Sequence, residues 1–369
     1  MAKLSLRPLA HLDWLLLGAS IVLVLFGVIA LASVTIAKSP PDWKTFTHQV
    51  VFLCIGIVFF IIATVVDYRV LRGYSTLAYV AAGALLIAVL IFGTTIRSTT
   101  GWFVFAGFSF QPVELVKIFW IIAFAAYLAR YGRAFDQWRH ILISGGFALG
   151  LIGLIMLQPD LGSALVVGGI FLGLLLTANI QWKQVLLIFL ILALGAVFSY
   201  FFLLRGYQKD RIRVLFQANS DPQGRGYNTS QAMIAIGSGQ LFGHGFGQGT
   251  QSQLNFIPEQ QTDFIFAVLA EEFGFVGVLV LLGSFGIVLV RTMAIARQSR
   301  DDFGAFLCSG ISIAIAIHLL INVGMNMGLV PVTGIPLPFV SAGGSSLISS
   351  LIGLGLIQSV AIRRRTMPT

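Results

Sequence analysis

Apolar runs long enough to cross a bilayer recur from one end of this 369-residue chain to the other. About 20 such residues in helical form span the hydrocarbon core, and no water-soluble core of this size needs them repeatedly. The runs lie at about 14–37, 49–66, 74–93, 112–129, 140–157, 161–178, 184–204, 263–290, 304–326 and 345–362. The expectation is an all-α, polytopic membrane protein of ten transmembrane helices, forming one integral membrane domain over residues 1–369. Lys3 and Arg7 ahead of the first run resemble a signal peptide, but the run is too long for one and reads as a retained span.

Charge sets the orientation. A formal net charge of +9 on a soluble domain would suggest nucleic acid; on a chain that is 57% hydrophobic and 10% charged it must first be sorted by side of the membrane. Arg69, Arg72, Arg130, Arg133, Arg139, Lys183, Arg291, Arg297, Arg300 and Arg363 to Arg365 fall with the N-terminus on one side, against Lys38, Lys44 and Arg97 in the opposite short linkers. The positive-inside rule therefore puts both termini in the cytoplasm, and no nucleic-acid partner is indicated. Cys54 and Cys308 sit inside apolar runs with no partner for a disulfide or zinc site and read as small core residues.

One connection is far longer than the rest: residues 205–262, an external loop between the seventh and eighth helices, with Arg211 and Arg213 among its cations. It contains "IGSGQLFGHGFGQG", residues 236–249, which reads either as a backbone cradle for an anion or as a flexible linker. A dinucleotide-binding loop is excluded, because no strand precedes it. No internal repeat of the kind common in transporters is evident.

Charges inside spans cost about 2.5–3.5 kcal/mol each on insertion scales, so each needs a partner, a wet cavity or a chemical role. Glu114 and Lys117, spaced to share one helical face, read as an ion pair near an outer helix end, following Pro112. Asp160 reads as a cap of the sixth span. Asp263 opens the eighth span above a seam of Ala267, Ala270, Gly274 and Gly277, with Thr262 an equally good cap. Glu271 lies deeper, Glu272 points to the other side, and both read as structural polar groups, as do Asn322 and Asn326. His318 reads as a deep, isolated interhelical donor. Ser341 and Ser345 belong to the returning turn "FVSAGGSSL". A wet cavity open to the outside and lined by Glu114, Lys117, Asp160, Asp263 and this Ser/Gly turn is the economical inference.

Such a site suits a lipid-linked anionic substrate. Asp263 would take a proton from an attacking hydroxyl, partial desolvation raising it from the ordinary aspartate value of about 3.9. Cations, or a divalent metal such as Mg or Mn, would stabilise a departing phosphate. From residue types alone proton-coupled transport is nearly as good a reading, and a flippase of lipid-linked sugars or a non-catalytic scaffold also stays open.

The motifs "FQPVELVKI", "QPDLGSA", "IGSGQLFGHG", "GTQSQLNFIPEQQTDFIFAVLAEEFG" and "GIPLPFVSAGGSSL", in this order along the chain, resemble the SEDS family (shape, elongation, division and sporulation), its rod-elongation branch more than its division branch. The resemblance implies a ten-span peptidoglycan glycosyltransferase of the bacterial cytoplasmic membrane, polymerising lipid II into glycan strands at the outer face. It implies that Asp263 is the general base, with inversion at the anomeric carbon and polyprenyl diphosphate leaving, and that Glu114, Lys117 and Asp160 serve the substrate. The implied partners are lipid II, the nascent glycan strand, a transpeptidase-type (class B) penicillin-binding protein and other membrane proteins of the elongation complex. Departures from the family pattern are Gln261 where His is usual, Gly101 ahead of Trp102 where Arg is common, and Val113 where Ser is frequent. Arg211 and Arg213 are candidate substitutes for the missing arginine.

Overall fold

The computed structural model describes residues 12–36, 43–96, 99–105, 108–132, 137–178, 180–198, 201–202, 209 and 225–364. Arg211 and Arg213 lie outside the described residues. The described chain is mostly helical: α1 (Trp14–Ile36), α2 (Lys44–Val65), α3 (Tyr68–Gly73), α4 (Ser75–Phe92), α5 (Pro112–Tyr131), α6 (Trp138–Leu157), α7 (Leu161–Thr177), α8 (Trp182–Phe198), α9 (Arg225–Ser238), α10 (Thr250–Gln253), α11 (Ile265–Arg297), α12 (Asp302–Asn326) and α13 (Gly344–Ile362). Eight of these, α1, α2, α4, α5, α6, α11, α12 and α13, are long and apolar enough to cross a membrane, and α7 is a shorter apolar helix of 17 residues.

Burial separates the helices into an inner and an outer set. The most apolar stretch of α13 is 83% buried and that of α5 72%, against 17% for α4, so α5 and α13 form the centre and α4 faces outward. Around them pack α2 against α13, α4 against α5, and α12 against α5, α7 and α11. Bare apolar side chains such as Leu77, Ile91, Leu142 and Leu149 cover the outside, as lipid contact requires. Cys308 is buried in the core, but Cys54 is exposed, so only one of the two cysteines is the core residue expected.

Three further differences from expectation have local causes. The fold is not purely helical: β1 (Thr94–Ile96), β2 (Thr99–Phe105) and β3 (Phe108–Phe110) form an antiparallel sheet of order β1-β2-β3 between α4 and α5. Its register pairs Thr95 with Thr100 and Val104 with Ser109, and β-branched and aromatic residues fill the strands.

Second, α11 is not one rod. Its 33 residues would run about 50 Å, well beyond a hydrocarbon core of about 30 Å, and Gly274 breaks it with φ 63° and ψ −164°. The eighth span therefore does not start at Asp263. Asp263 lies in a turn ahead of α11, and the small-residue seam drawn below it is interrupted at Gly274.

Third, the glycine-rich segment fills that break. The amides of His244 and Gly245 donate to the carbonyls of Glu271 and Glu272 at 3.0 Å each, while Phe275 and Val276 donate to Gln240 and Leu241 at 2.8 and 3.1 Å. A broken helix in lipid leaves orphan backbone groups that something must satisfy, and this segment does so. Its amides at His244 and Gly245 are spent on carbonyls rather than held ready for an anion, and it is anchored rather than a loose linker. Gly243, at φ 77°, sits so close to the Glu272 carbonyl that any side chain there would collide with it.

Candidate active site

Asp263 is placed by its backbone. Asn322 and Asn326, one helical turn apart on α12, donate from their side-chain amides to its carbonyl oxygen at 3.1 and 3.0 Å, and both asparagines are fully buried. Asn322 also donates to the Ile335 carbonyl at 2.8 Å, and Asn326 accepts from the Ala267 amide at 3.3 Å, which ties the segment before α11 to the strap before α13. Neither Asp263 nor Thr262 caps α11. The helix starts after Phe264 without a side-chain cap, and the Thr262 hydroxyl turns to Glu259 instead. The Asp263 side chain is half-buried, beside Gly334: a Cβ on Gly334 would lie 3.6 Å from its Oδ2.

The Ser/Gly turn braces the same place. The Ser341 hydroxyl donates to the Thr262 carbonyl at 2.6 Å and accepts from the Leu337 amide at 2.8 Å, while Ala342 donates to the Gln261 carbonyl at 2.8 Å. Ser341 thus has both roles of its hydroxyl engaged with backbone, and it holds Phe339 at φ 66°, a conformation unfavourable for a side chain of that size. Ser345 accepts from the Gln111 amide at 2.8 Å.

Gln111 links this turn to Asp160. Its side-chain amide donates to Asp160 Oδ2 at 3.3 Å, and Asp160 caps α7 by accepting from the Ser163 amide and hydroxyl at 2.9 and 2.7 Å. Gly162 packs against the Thr333 carbonyl and Ile335, bringing the start of α7 onto the strap that faces Asp263. Asp160, Gln111, Ser345, Ser341, Gly334 and Asp263 accordingly belong to one connected region at one end of the bundle.

Glu114 and Lys117 lie beneath it. Lys117 Nζ donates to Glu114 Oε1 at 2.8 Å, and both residues are 4% exposed, so the pair is sealed in the bundle rather than lining an open cavity. His318 is not isolated. Its Nδ1 lies 2.8 Å from the Ala314 carbonyl and must donate there, which leaves Nε2 to accept from Lys117 Nζ at 2.9 Å. Lys117 is thereby held between a carboxylate on its own helix and an imidazole on α12, a combination that offsets its burial. The histidine could not be assigned from sequence because its partner is supplied by another helix.

Glu271 caps α10, accepting from the Gln251 and Ser252 amides at 2.7 and 3.0 Å, and Glu272 accepts from the Ser33 hydroxyl of α1. Both hold segments together. Sequence reasoning missed two polar atoms: Gln261 Nε2 and Thr333 Oγ1 are buried without a hydrogen-bond partner. One sits two residues before Asp263 and the other beside Gly334. Unmet buried polar atoms are rare and mark places where a ligand or water belongs. Among the described residues no group of three or more His, Cys, Asp or Glu side chains could hold a metal ion, so no step is assigned to a divalent cation.

Residues 11–366 match the family model FTSW_RODA_SPOVE, described as cell cycle protein. The chain belongs to this family. Among its relatives, peptidoglycan glycosyltransferase MrdB of Escherichia coli K12 is 34% identical over 361 residues, covering 97% of this chain and 95% of the relative. A probable peptidoglycan glycosyltransferase FtsW of Trichlorobacter lovleyi is 35% identical, covering 100% of this chain and 98% of the relative. The rod shape determining protein RodA of Thermus thermophilus superposes with TM-score 0.72 at 31% identity, covering 96% and 98% of the two chains. A chain from a structure titled "Structural coordination of polymerization and crosslinking by a peptidoglycan synthase complex" superposes with TM-score 0.81 at 32% identity, covering 95% and 97%. Elongation and division relatives thus stand side by side, and the SEDS membership expected from the motifs holds.

Proposed function

We propose that this chain is a peptidoglycan glycosyltransferase that polymerises lipid II at the outer face of the bacterial cytoplasmic membrane, in the service of cell elongation. The observation that carries the reading is the setting of Asp263: a half-buried carboxylate on a segment clamped through its own carbonyl by Asn322 and Asn326, with unmet polar atoms of Gln261 and Thr333 close by in the chain and along the strap. Asp263 accepts the proton of an acceptor sugar hydroxyl as that oxygen bonds to the anomeric carbon of the lipid-linked strand. The bond from that carbon to the diphosphate breaks on the opposite face, polyprenyl diphosphate departs, and configuration inverts.

In this reading Gln261 and Thr333 give hydrogen bonds to the sugar, and Asp160 and Gln111 fix the wall across from Asp263. Arg211 and Arg213 are the proposed diphosphate ligands, and a Mg or Mn ion bound together with the substrate would serve the same role. The chain crosses the membrane ten times, with α7 and α8 among the spans, the 205–262 segment outside and both termini in the cytoplasm. Asp13 and Arg364 lie 3.7 Å apart at one end of the bundle, which supports placing the termini together. A class B penicillin-binding protein is the proposed partner, in keeping with the printed subject of the synthase-complex relative.

The test is polymerisation of lipid II by the purified protein, with and without the partner and with and without chelator. Asp263→Asn should remain folded and lose about 10²–10⁴ in rate, the usual contribution of a positioned base. Glycan strands of normal length and rate from that variant would remove Asp263 from the chemistry.

A further inference from the structure

At the end of α5 opposite the Asp263 region, a cavity of about 580 Å³ opens between α4, α5 and α6. None of the residues assigned to the polymerase reaction lines it. Its mouth carries Arg130, Arg139 and His140, with Ser75 and Thr76 alongside, and its inner wall is aromatic, including Tyr79, Trp120 and Phe147. Among the described residues no carboxylate forms a salt bridge with Arg130 or Arg139; the Arg130 guanidinium lies 5.3 Å from the centre of the Tyr131 ring.

A second observation points to an occupant. Trp120 is 2% exposed, lines this cavity, and its indole N–H has no acceptor. The neighbouring Tyr79 hydroxyl donates to the Phe147 carbonyl at 3.1 Å and the Ser144 hydroxyl to the His140 carbonyl at 2.8 Å, and neither oxygen makes a hydrogen bond to the indole N–H. A buried donor beside an open apolar space asks for an oxygen supplied from outside the chain.

The chemistry selects a lipid. Two cations at the mouth want an anionic headgroup, an aromatic wall wants hydrocarbon, and basic pockets between spans on the positively charged side are a recurrent setting for acidic lipids. The deeper N–H decides between lipid sources. Arg130 follows Trp120 by about 15 Å of helix, and long helical side chains lean back toward the N-terminus, which narrows that gap. A glycerophospholipid has ester oxygens below its phosphate, whereas a polyprenyl chain offers no acceptor below its diphosphate. We propose that this cavity binds an anionic glycerophospholipid of the adjoining leaflet, its phosphate between Arg130 and Arg139 and an ester oxygen on the Trp120 N–H.

The inference is independent of the proposed reaction and is tested without it. Delipidated full-length protein in neutral detergent is titrated with phosphatidylglycerol, phosphatidylethanolamine and a polyprenyl diphosphate, with binding read by native mass spectrometry and folding by the unfolding temperature without lipid. The expected result is preference for phosphatidylglycerol, weakened about 30-fold in the Arg130→Gln/Arg139→Gln double variant. Trp120→Phe, which keeps the ring and removes the donor, should weaken it about fivefold and leave binding of the polyprenyl diphosphate unchanged. Equal binding of the zwitterionic lipid, or wild-type affinity in the arginine double variant or in Trp120→Phe, overturns the site. Displacement of phosphatidylglycerol by equimolar polyprenyl diphosphate overturns the choice of lipid.

Discussion

Asn322 donates from its side chain to the backbone carbonyl of Asp263, 59 residues away in sequence, across 3.1 Å. The segment that carries the carboxylate is therefore held through its main chain. Replacing Asn322 with Ala strands the Ile335 carbonyl in a dry setting and leaves the Asp263 carbonyl held by Asn326 alone, at about 1–3 kcal/mol. Because misplacement by about 1 Å can cost about 10²-fold in rate, activity should fall by at least about tenfold while Asp263 itself is intact. Lipid II polymerisation measured alongside thermal unfolding checks this; a drop in stability with full activity would show that the clamp does not position the base.

The Lys117 site makes a prediction about pairs. Lys117→Met leaves Glu114 buried without its cation, an error that costs about 3–5 kcal/mol, whereas Glu114→Gln together with Lys117→Met removes both charges and should recover much of it. Unfolding temperature in detergent for the single and double variants is the readout. Additive losses would mean the two residues are not coupled.

Gly274 should tolerate no side chain. Its φ of 63° disfavours any L-residue, and a Cβ there would meet the Gly243 amide and the Leu241 carbonyl. Gly274→Ala should release the 239–249 segment from the helix break. Faster limited proteolysis within that segment, relative to wild type, is the expected outcome.

At the other end of the bundle Asp13 gives a pH signature. Burial works to raise its carboxyl, but hydrogen bonds from Arg291 and the Leu16 amide, with the charges of Arg291 and Arg364, hold it below the ordinary range. A lowered value means the stabilisation is complete above the unfolded-state value near 3.9 and is lost as pH falls through the lower folded one. The gap in unfolding temperature between wild type and Asp13→Asn should be flat from pH 7 to 5 and close below about pH 4. A gap that closes between pH 7 and 5 would contradict the assignment.

Much of this protein is legible in its residues alone. Apolar runs are a local property, and because lipid leaves no other partner for the backbone they located helices closely at Leu161–Thr177 and Gly344–Ile362, though not the break at Gly274. The Asp160 cap was readable for the same reason, since a cap and its amide are three residues apart. What tertiary structure decided is everything whose partner lies on another segment. His318 meets Lys117 across 201 residues, the 240–245 turn meets the break at Gly274, and Asp263 meets Asn322 and Asn326. Helical periodicity says which face a polar side chain occupies but not which neighbour that face will find. In a bundle of uniformly apolar helices hydropathy cannot rank the pairings, and the matching of scarce polar groups in a dry interior picks among them.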